Sequence, residues 1–288
     1  MWQYDFHLFY MGARAILEGT SPYQMWDFNG PYPLAVFFVP LALLPEPLAY
    51  FTFLGANLLL AWKLLGVRKG IWAVISFPVL FCLFVGQVDF LLTLLVLAGS
   101  PWTLGLLIIK PQLAFVFVPW LLRKFSPRDY LKASIPALIL LALSFILDPG
   151  WVQDWIAGSP GIQNYSGHAS NIYWLVPNIG RTIATFIGII LALPAGLFFK
   201  EKSVSWSFLS LFAPLTNIYS PAVLAEWIGP IEAGLSWLAI FFVGGNIHNG
   251  APLFVVGLAI LIRKLLENRT NSSSQQKDPA NHENAQMD

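Results

Sequence analysis

Apolar residues run through this chain in long blocks, and basic residues punctuate them. Pro47 to Leu65 reads as one spanning helix, closed by "WKLLGVRKG". Ile71 to Val85 is the next, short and broken by Pro78. "GQVDFLLTLLVLAGSP" is shorter still, and "WTLGLLIIKPQLAFVFVPWLLRKFSPRDYLK" is interrupted at Lys110-Pro111. Leu131 to Leu147 follows, then a polar and aromatic stretch from Asp148 to Asn178, too long for a tight turn. Thr182 to Phe199 spans again, and "SWSFLSLFAPLTNIYSPAVLAEWIGP" breaks at Ser220-Pro221. Leu235 to Val243 and Pro252 to Leu266 close the series. No run shows strict alternation, so the pattern predicts helices and not a membrane barrel.

The reading is one all-α membrane domain, residues 1–266, followed by a polar tail, 267–288. The tail is rich in Asn, Ser and Gln and has no apolar face, so it is expected to be disordered and cytoplasmic. Its Asn268-Arg-Thr matches a glycosylation sequon, a motif too common to carry weight.

Four basic clusters orient the domain: Lys63, Arg68 and Lys69; Arg123, Lys124, Arg128 and Lys132; Lys200 and Lys202; Arg263 and Lys264. The positive-inside rule puts all four in the cytoplasm. That requires Lys110-Pro111 and Ser220-Pro221 to be turning points, each splitting an apolar run into two short helices that enter and return. Irregular backbone at membrane depth is tolerated where it lines a cavity. The expected product is a polytopic bundle with short re-entrant helix pairs. An outward-facing cavity would lie near Lys110, Gly86-Gln87, the opening loop and the loop after Asp148.

Composition supports the bilayer as solvent. Of 288 residues, 57% are hydrophobic and 11% charged, against about 25% charged in soluble domains. The 12 Trp and 23 Phe suit interfacial belts and bundle packing. A net charge of +1 gives no electrostatic case for nucleic acid. The one cysteine, Cys82, excludes an intrachain disulfide. The start lacks the basic-then-apolar pattern of a cleavable signal. No His/Cys constellation, P-loop or dinucleotide fingerprint occurs, so the sequence supports neither ATP use nor an all-protein metal site.

Against that apolar background, a few polar residues stand out. Asp5 can be a carboxylate at the cavity mouth, acting as general base, or a hydrated residue near the start of the chain. Lys110 lies inside an apolar run, at an insertion cost of about 2.5–3.5 kcal/mol. An ammonium meeting a phosphate explains it better than snorkelling to an interface. Gln87 and Asp89 share "GQVDF". Glu226, in "PAVLAEWIGP", is balanced between a cavity role and an interfacial one. His168, in "SGHASNIYW", reads first as a loop histidine, and Arg181 either binds an anion or anchors a helix end. Tyr23 and Tyr32 complete the expected cavity lining.

The order of these pieces carries a resemblance. An acid, "GARAILEGTSPY", "YP" with an apolar run and "PLALLP", then "GQ", "KP" before a basic loop, and finally "SP" together resemble the glycosyltransferase C superfamily. Within it the chain is most similar to glycosyltransferase family 87, the polyprenyl-phosphate-mannose-dependent mannosyltransferases. The similarity runs from Asp5 to about Trp227 and is strongest from Leu80 to Lys124.

The resemblance implies a multi-helix membrane enzyme of the plasma membrane with an extracytoplasmic active site. Such a hexosyltransferase takes a sugar, here mannose, from a polyprenyl-phosphate donor. It passes the sugar, with inversion, to a hydroxyl on a lipid or glycan acceptor. Asp5 matches the family's acid in the first outer loop, which serves as base. Lys110, with Gln87 and Arg181, is expected at the donor phosphate, and Tyr23, Tyr32, Asp89, His168 and Glu226 around the cavity. No cofactor is required.

Three departures from the family pattern stand in the sequence. A transmembrane helix normally precedes the acid, so the chain is expected to lack the first helix. The usual "YPP" is Tyr32-Pro33-Leu34. The usual Asn after "GQ-x" is Asp89, whose extra charge could repel the donor or hold a divalent cation. Two rival readings share these features: a lipid or oligosaccharide transporter, and an inactive truncated membrane subunit.

Overall fold

The computed structural model describes residues 3–25, 27–157, 181–213, 220–242 and 253–275. Among the described residues every regular element is a helix. The chain opens with α1, Tyr4–Leu17. It stops at Gly19, whose φ of 76° only glycine adopts without strain. A short 3-10 turn, Pro22–Gln24, leads to α2, Tyr32–Ala42. The two helices pack against each other and hold one aromatic core. Phe6 meets Phe38, Tyr50 and Phe53 with ring centroids 5.3–5.7 Å apart.

α3 runs from Glu46 to Ile75 with a sharp kink at Gly66, whose φ is 72° and ψ 168°. Residues before the kink match the expected first span. Residues after it belong to the same element, so the break expected at Pro78 falls at Ser76 instead. The cause is local. Pro78 has no N–H to give, and it fits the first turn of α4, Phe77–Val85, where that donor has no partner anyway. After Gly86 the chain turns by 115° into α5, Asp89–Leu97.

α6, Pro101–Leu104, runs into a 3-10 stretch, Gly105–Ile109. Lys110 follows with non-helical backbone, φ −147° and ψ 74°, then a second 3-10 turn, Pro111–Leu113, and α7, Ala114–Leu121. The apolar run therefore breaks at Lys110-Pro111, as expected, since Pro111 biases the residue before it away from helix. α8, Pro127–Leu147, starts a turn earlier than its apolar pattern suggests. Ser126 caps it, accepting from the Asp129 N–H at 3.4 Å, while the Asp129 carboxylate accepts from the Ser126 N–H at 3.1 Å.

α9, Trp151–Ala157, opens the long polar stretch, and most of the rest of that stretch, with His168, lies outside the described residues. α10, Arg181–Phe198, and α11, Lys202–Phe212, precede a 3-10 stretch, Ser220–Trp227. α12, Pro230–Phe242, and α13, Phe254–Gln275, end the description.

The tail boundary needs correction. Residues 267–275 continue α13 instead of starting a disordered tail. Glu267 accepts from Lys264 at 2.6 Å, one turn back, and Asn268 reaches Glu201 at 2.7 Å.

By length and composition, α3 and α8 are apolar and long enough to cross a membrane, and the bent α4–α5 pair would make a third span. α8 carries Leu138, Ile139, Ile146 and other large apolar side chains half-exposed or more. In water that surface would be costly; against hydrocarbon it costs nothing. Three basic clusters meet at one end of the molecule. Arg123 donates to the Phe199 carbonyl at 2.9 Å, and Arg263 to the Trp227 carbonyl at 2.6 Å. Lys202 sits over Trp206, Trp227 and Trp120, 5.3–5.8 Å from the ring centroids, with Lys124 on Trp120 at 4.4 Å.

Candidate active site

The site forms where four chain segments meet. α1 brings its first turn against the Gly86 bend: the Gln3 N–H donates to the Phe84 carbonyl at 3.2 Å. Gly86 touches Phe6 so closely that an added Cβ would lie 2.3 Å from the Phe6 Cβ. Its φ of 76° also needs glycine. This approach sets Asp5 beside Gln87. The Gln87 Nε2 donates to Asp5 Oδ2 at 3.0 Å, and its Oε1 accepts from the Val88 N–H at 3.0 Å. Gln87 thus holds the carboxylate with one end of its amide while the other end is fixed to backbone.

Asp89 begins α5 and points into the core, wholly buried. Its Oδ2 forms an ion pair with the Lys110 ammonium. Lys110 reaches it from the break between the two 3-10 turns and is 7% exposed. A lysine carried into this apolar run is thereby neutralised by a carboxylate from the neighbouring bend. Asp5 is partly open, while Gln87, Asp89 and Lys110 are buried.

Burial pushes the Asp5 carboxyl up to about 6, from an ordinary 3.8. The Lys110 charge and the Gln87 hydrogen bond oppose the rise, and Asp89 adds to it. A carboxylate in that range can take a proton near neutral pH, with more driving force than an ordinary aspartate.

Other polar groups flank Asp5 on α1. His7 Nδ1 pairs with Glu46 Oε1 at 2.8 Å, and Gln3 Nε2 approaches the same oxygen at 3.4 Å. Tyr4 donates to Asp27. Nothing in the sequence alone singles out these five residues. Glu46 and Asp27 are ordinary loop and helix-start acids until the fold sets them beside α1.

Of the expected site residues, the fold brings Asp5, Gln87, Asp89 and Lys110 together. Tyr23 and Tyr32 form a different cluster, near the far end of α1. Tyr23 donates to the Gly30 carbonyl at 3.2 Å, and Tyr32 packs on Trp151 with ring centroids 6.5 Å apart. Glu226 takes a partner at the basic end: Lys202 lies 2.7 Å from its Oε2, under the tryptophans. That pairing suits the interfacial alternative for Glu226 and sets it apart from the Asp5 cluster. Arg181 opens α10, but its side chain lies outside the described residues, as does all of His168. No cluster of three or more metal-ligating side chains occurs among the described residues.

The model for glycosyltransferase family 87 matches residues 28–221, more than half of the chain. No curated protein and no solved structure matches it. The family match and the long apolar helices together describe a membrane glycosyltransferase. The chain belongs to glycosyltransferase family 87. The matched region contains Gln87, Asp89 and Lys110 and begins after Asp5.

Proposed function

We propose that the protein transfers a hexose, mannose in the first instance, from a polyprenyl-phosphate donor to a hydroxyl of a lipid or glycan acceptor. The reaction takes place at the outer face of the plasma membrane and inverts the anomeric centre. The observation that carries this is the meeting of Asp5 and Lys110 through Gln87 and Asp89, a base and a cation in one shielded cluster.

The acceptor oxygen attacks the anomeric carbon and forms the new C–O bond. Its proton passes to the Asp5 carboxylate. The bond between the anomeric carbon and the phosphate oxygen breaks, and the electron pair leaves on the lipid phosphate. Lys110 stabilises the charge that gathers there, in a site where water screens it little. Gln87 holds Asp5 in place and supplies a polar amide beside the phosphate. Arg181, at the start of α10, is the proposed second cation. Because the phosphate is already joined to the sugar, no nucleotide and no cofactor is needed.

The breaks at Gly86–Val88 and Lys110-Pro111 fit this reading as the tips of re-entrant helix pairs. Each frees backbone from the helix ladder at the depth where a lipid headgroup would enter.

The test is transfer of labelled mannose from polyprenyl-phosphate-mannose in membranes that contain the chain. Transfer that falls at least about a hundredfold on Lys110→Ala is expected, in the range for removing a preorganised charge stabiliser. Transfer at the parent rate by both Lys110→Ala and Asp5→Asn would overturn the assignment.

A further inference from the structure

The Lys110 ammonium is not held by backbone alone. It rests on Asp89, a residue wholly buried at the first turn of α5. The second carboxylate oxygen, Oδ1, is also buried and has no hydrogen-bond partner. An orphaned carboxylate oxygen is costly, and a neutral amide at the same place would carry no charge to desolvate. Lys110 pairs directly with Asp89, and its charge also reaches Asp5. Among the described side chains of this cluster, two carboxylates stand against one ammonium where an anionic donor has to arrive.

We propose that Asp89 is a positioning residue: it anchors Lys110 beside Asp5 and sets the charge balance against which a lipid phosphate binds. This deepens the proposed function and rests on it. In this arrangement the donor phosphate enters against a carboxylate and draws on an ammonium that is already engaged. Affinity is weakened, and the ammonium is held at a fixed place for the departing phosphate. When the phosphate leaves with its charge, Asp89 is there to retake the ammonium and favours release of the lipid.

The groups facing Asp5 are Lys110, Asp89 and Gln87 across the bend. Tyr4 and His7 lie on its own helix, and these engage Asp27 and Glu46. The buried Cys82 thiol of α4 also lies within electrostatic reach of Asp5, Asp89 and Lys110. Removing the Asp89 charge removes a repulsion from Asp5 and leaves Lys110 freer to stabilise its ionised form. Both effects lower the pH at which Asp5 ionises.

The experiment uses the full chain in detergent, with labelled polyprenyl phosphate, without sugar, as the probe. Asp89→Asn is expected to bind it about fivefold or more tightly, the sign set by the lost repulsion. In the transfer assay the same variant is expected to lower the donor KM and to move the acid limb of the kcat/KM profile to lower pH. Asp89→Glu keeps the charge but shifts its place; its expected signature is parental affinity with a reduced kcat. If Asp89→Asn does not elute as a folded protein, Asp89→Ser carries the same charge change and the same expectation.

Equal or weaker binding by the charge-removing variant overturns the proposal, as does an unmoved acid limb. Full kcat in Asp89→Glu overturns the anchoring part. If the parent transfers no sugar at all, the reading of function fails while the binding comparison still decides the role of Asp89.

Discussion

At the residue scale, the proposed chemistry rests on Asp5. Burial pushes its carboxyl up to about 6, from an ordinary 3.8, because the desolvation cost outweighs what Lys110 and Gln87 return. The activity should follow that ionisation. kcat/KM is expected to rise with pH to a midpoint near the Asp5 value of about 6 and to level off above it. A limb near pH 4 would show that the base is an unperturbed carboxyl. The same shift acts on stability. A carboxyl that is harder to ionise in the fold favours the folded state below the unfolded pKa of 3.8. That advantage is lost as pH rises through about 6. Asp5→Asn is therefore expected to lose transfer while melting no lower than the parent at pH 7 in detergent. A lower melting temperature would mean that the carboxylate is chiefly structural.

Asp5, Gln87, Asp89 and Lys110 were legible in the sequence because polar groups stand out in apolar runs, where each must be explained. Their pairing was not. Lys110 and Asp89 are 21 residues apart, and nothing in either segment says that two chain breaks meet. Glu226 shows the converse. Its sequence left a cavity role and an interfacial one in balance, and in the fold a lysine under three tryptophans takes it up.

At the element scale, the site is built from helix ends and breaks rather than helix faces. Gly86 ends α4, Asp89 starts α5, Lys110 separates two 3-10 turns, and Asp5 lies in the first turn of α1. The prolines that mark such breaks are visible in a sequence, but the exact break shifts with capping, as at Ser76 and Ser126. Gly86 is the joint that lets α1 approach. Gly86→Ala would force a β-carbon onto Phe6 and strain a positive φ, at a cost of about 1–3 kcal/mol. Gly105 is equally tight: an added Cβ would lie 2.2 Å from the Ala133 carbonyl oxygen on α8. Both alanine variants are expected to lower the melting temperature in detergent. Only Gly86→Ala is expected to lower kcat in the fraction that stays folded, because only it moves Asp5 relative to Gln87. Equal loss of kcat in the two would show that the bend has no special tie to the site.

At the scale of the whole molecule, polar groups divide between two regions. Arg123, Lys124, Lys202 and Arg263 gather around Trp120, Trp206 and Trp227. α8 leads from that region, where Arg128 lies in its first turn, to Asp148, which accepts from Ser21 at 2.8 Å. A 21-residue helix spans about 30 Å, the thickness of a bilayer core. As a span, its two ends are expected on opposite faces of a membrane, and the positive-inside rule predicts the Arg128 end in the cytoplasm. Ser21 and the turn that follows it then lie outside, with the loop joining α1 to α2. The only cysteine, Cys82, is fully buried and gives little background in a labelling experiment. In intact cells, a membrane-impermeant maleimide is expected to label Gln24→Cys, an exposed position on that turn. It should spare Arg128→Cys until the membrane is opened. Labelling of Arg128→Cys in sealed cells, with Gln24→Cys protected, would invert the molecule and place its donor on the cytoplasmic leaflet.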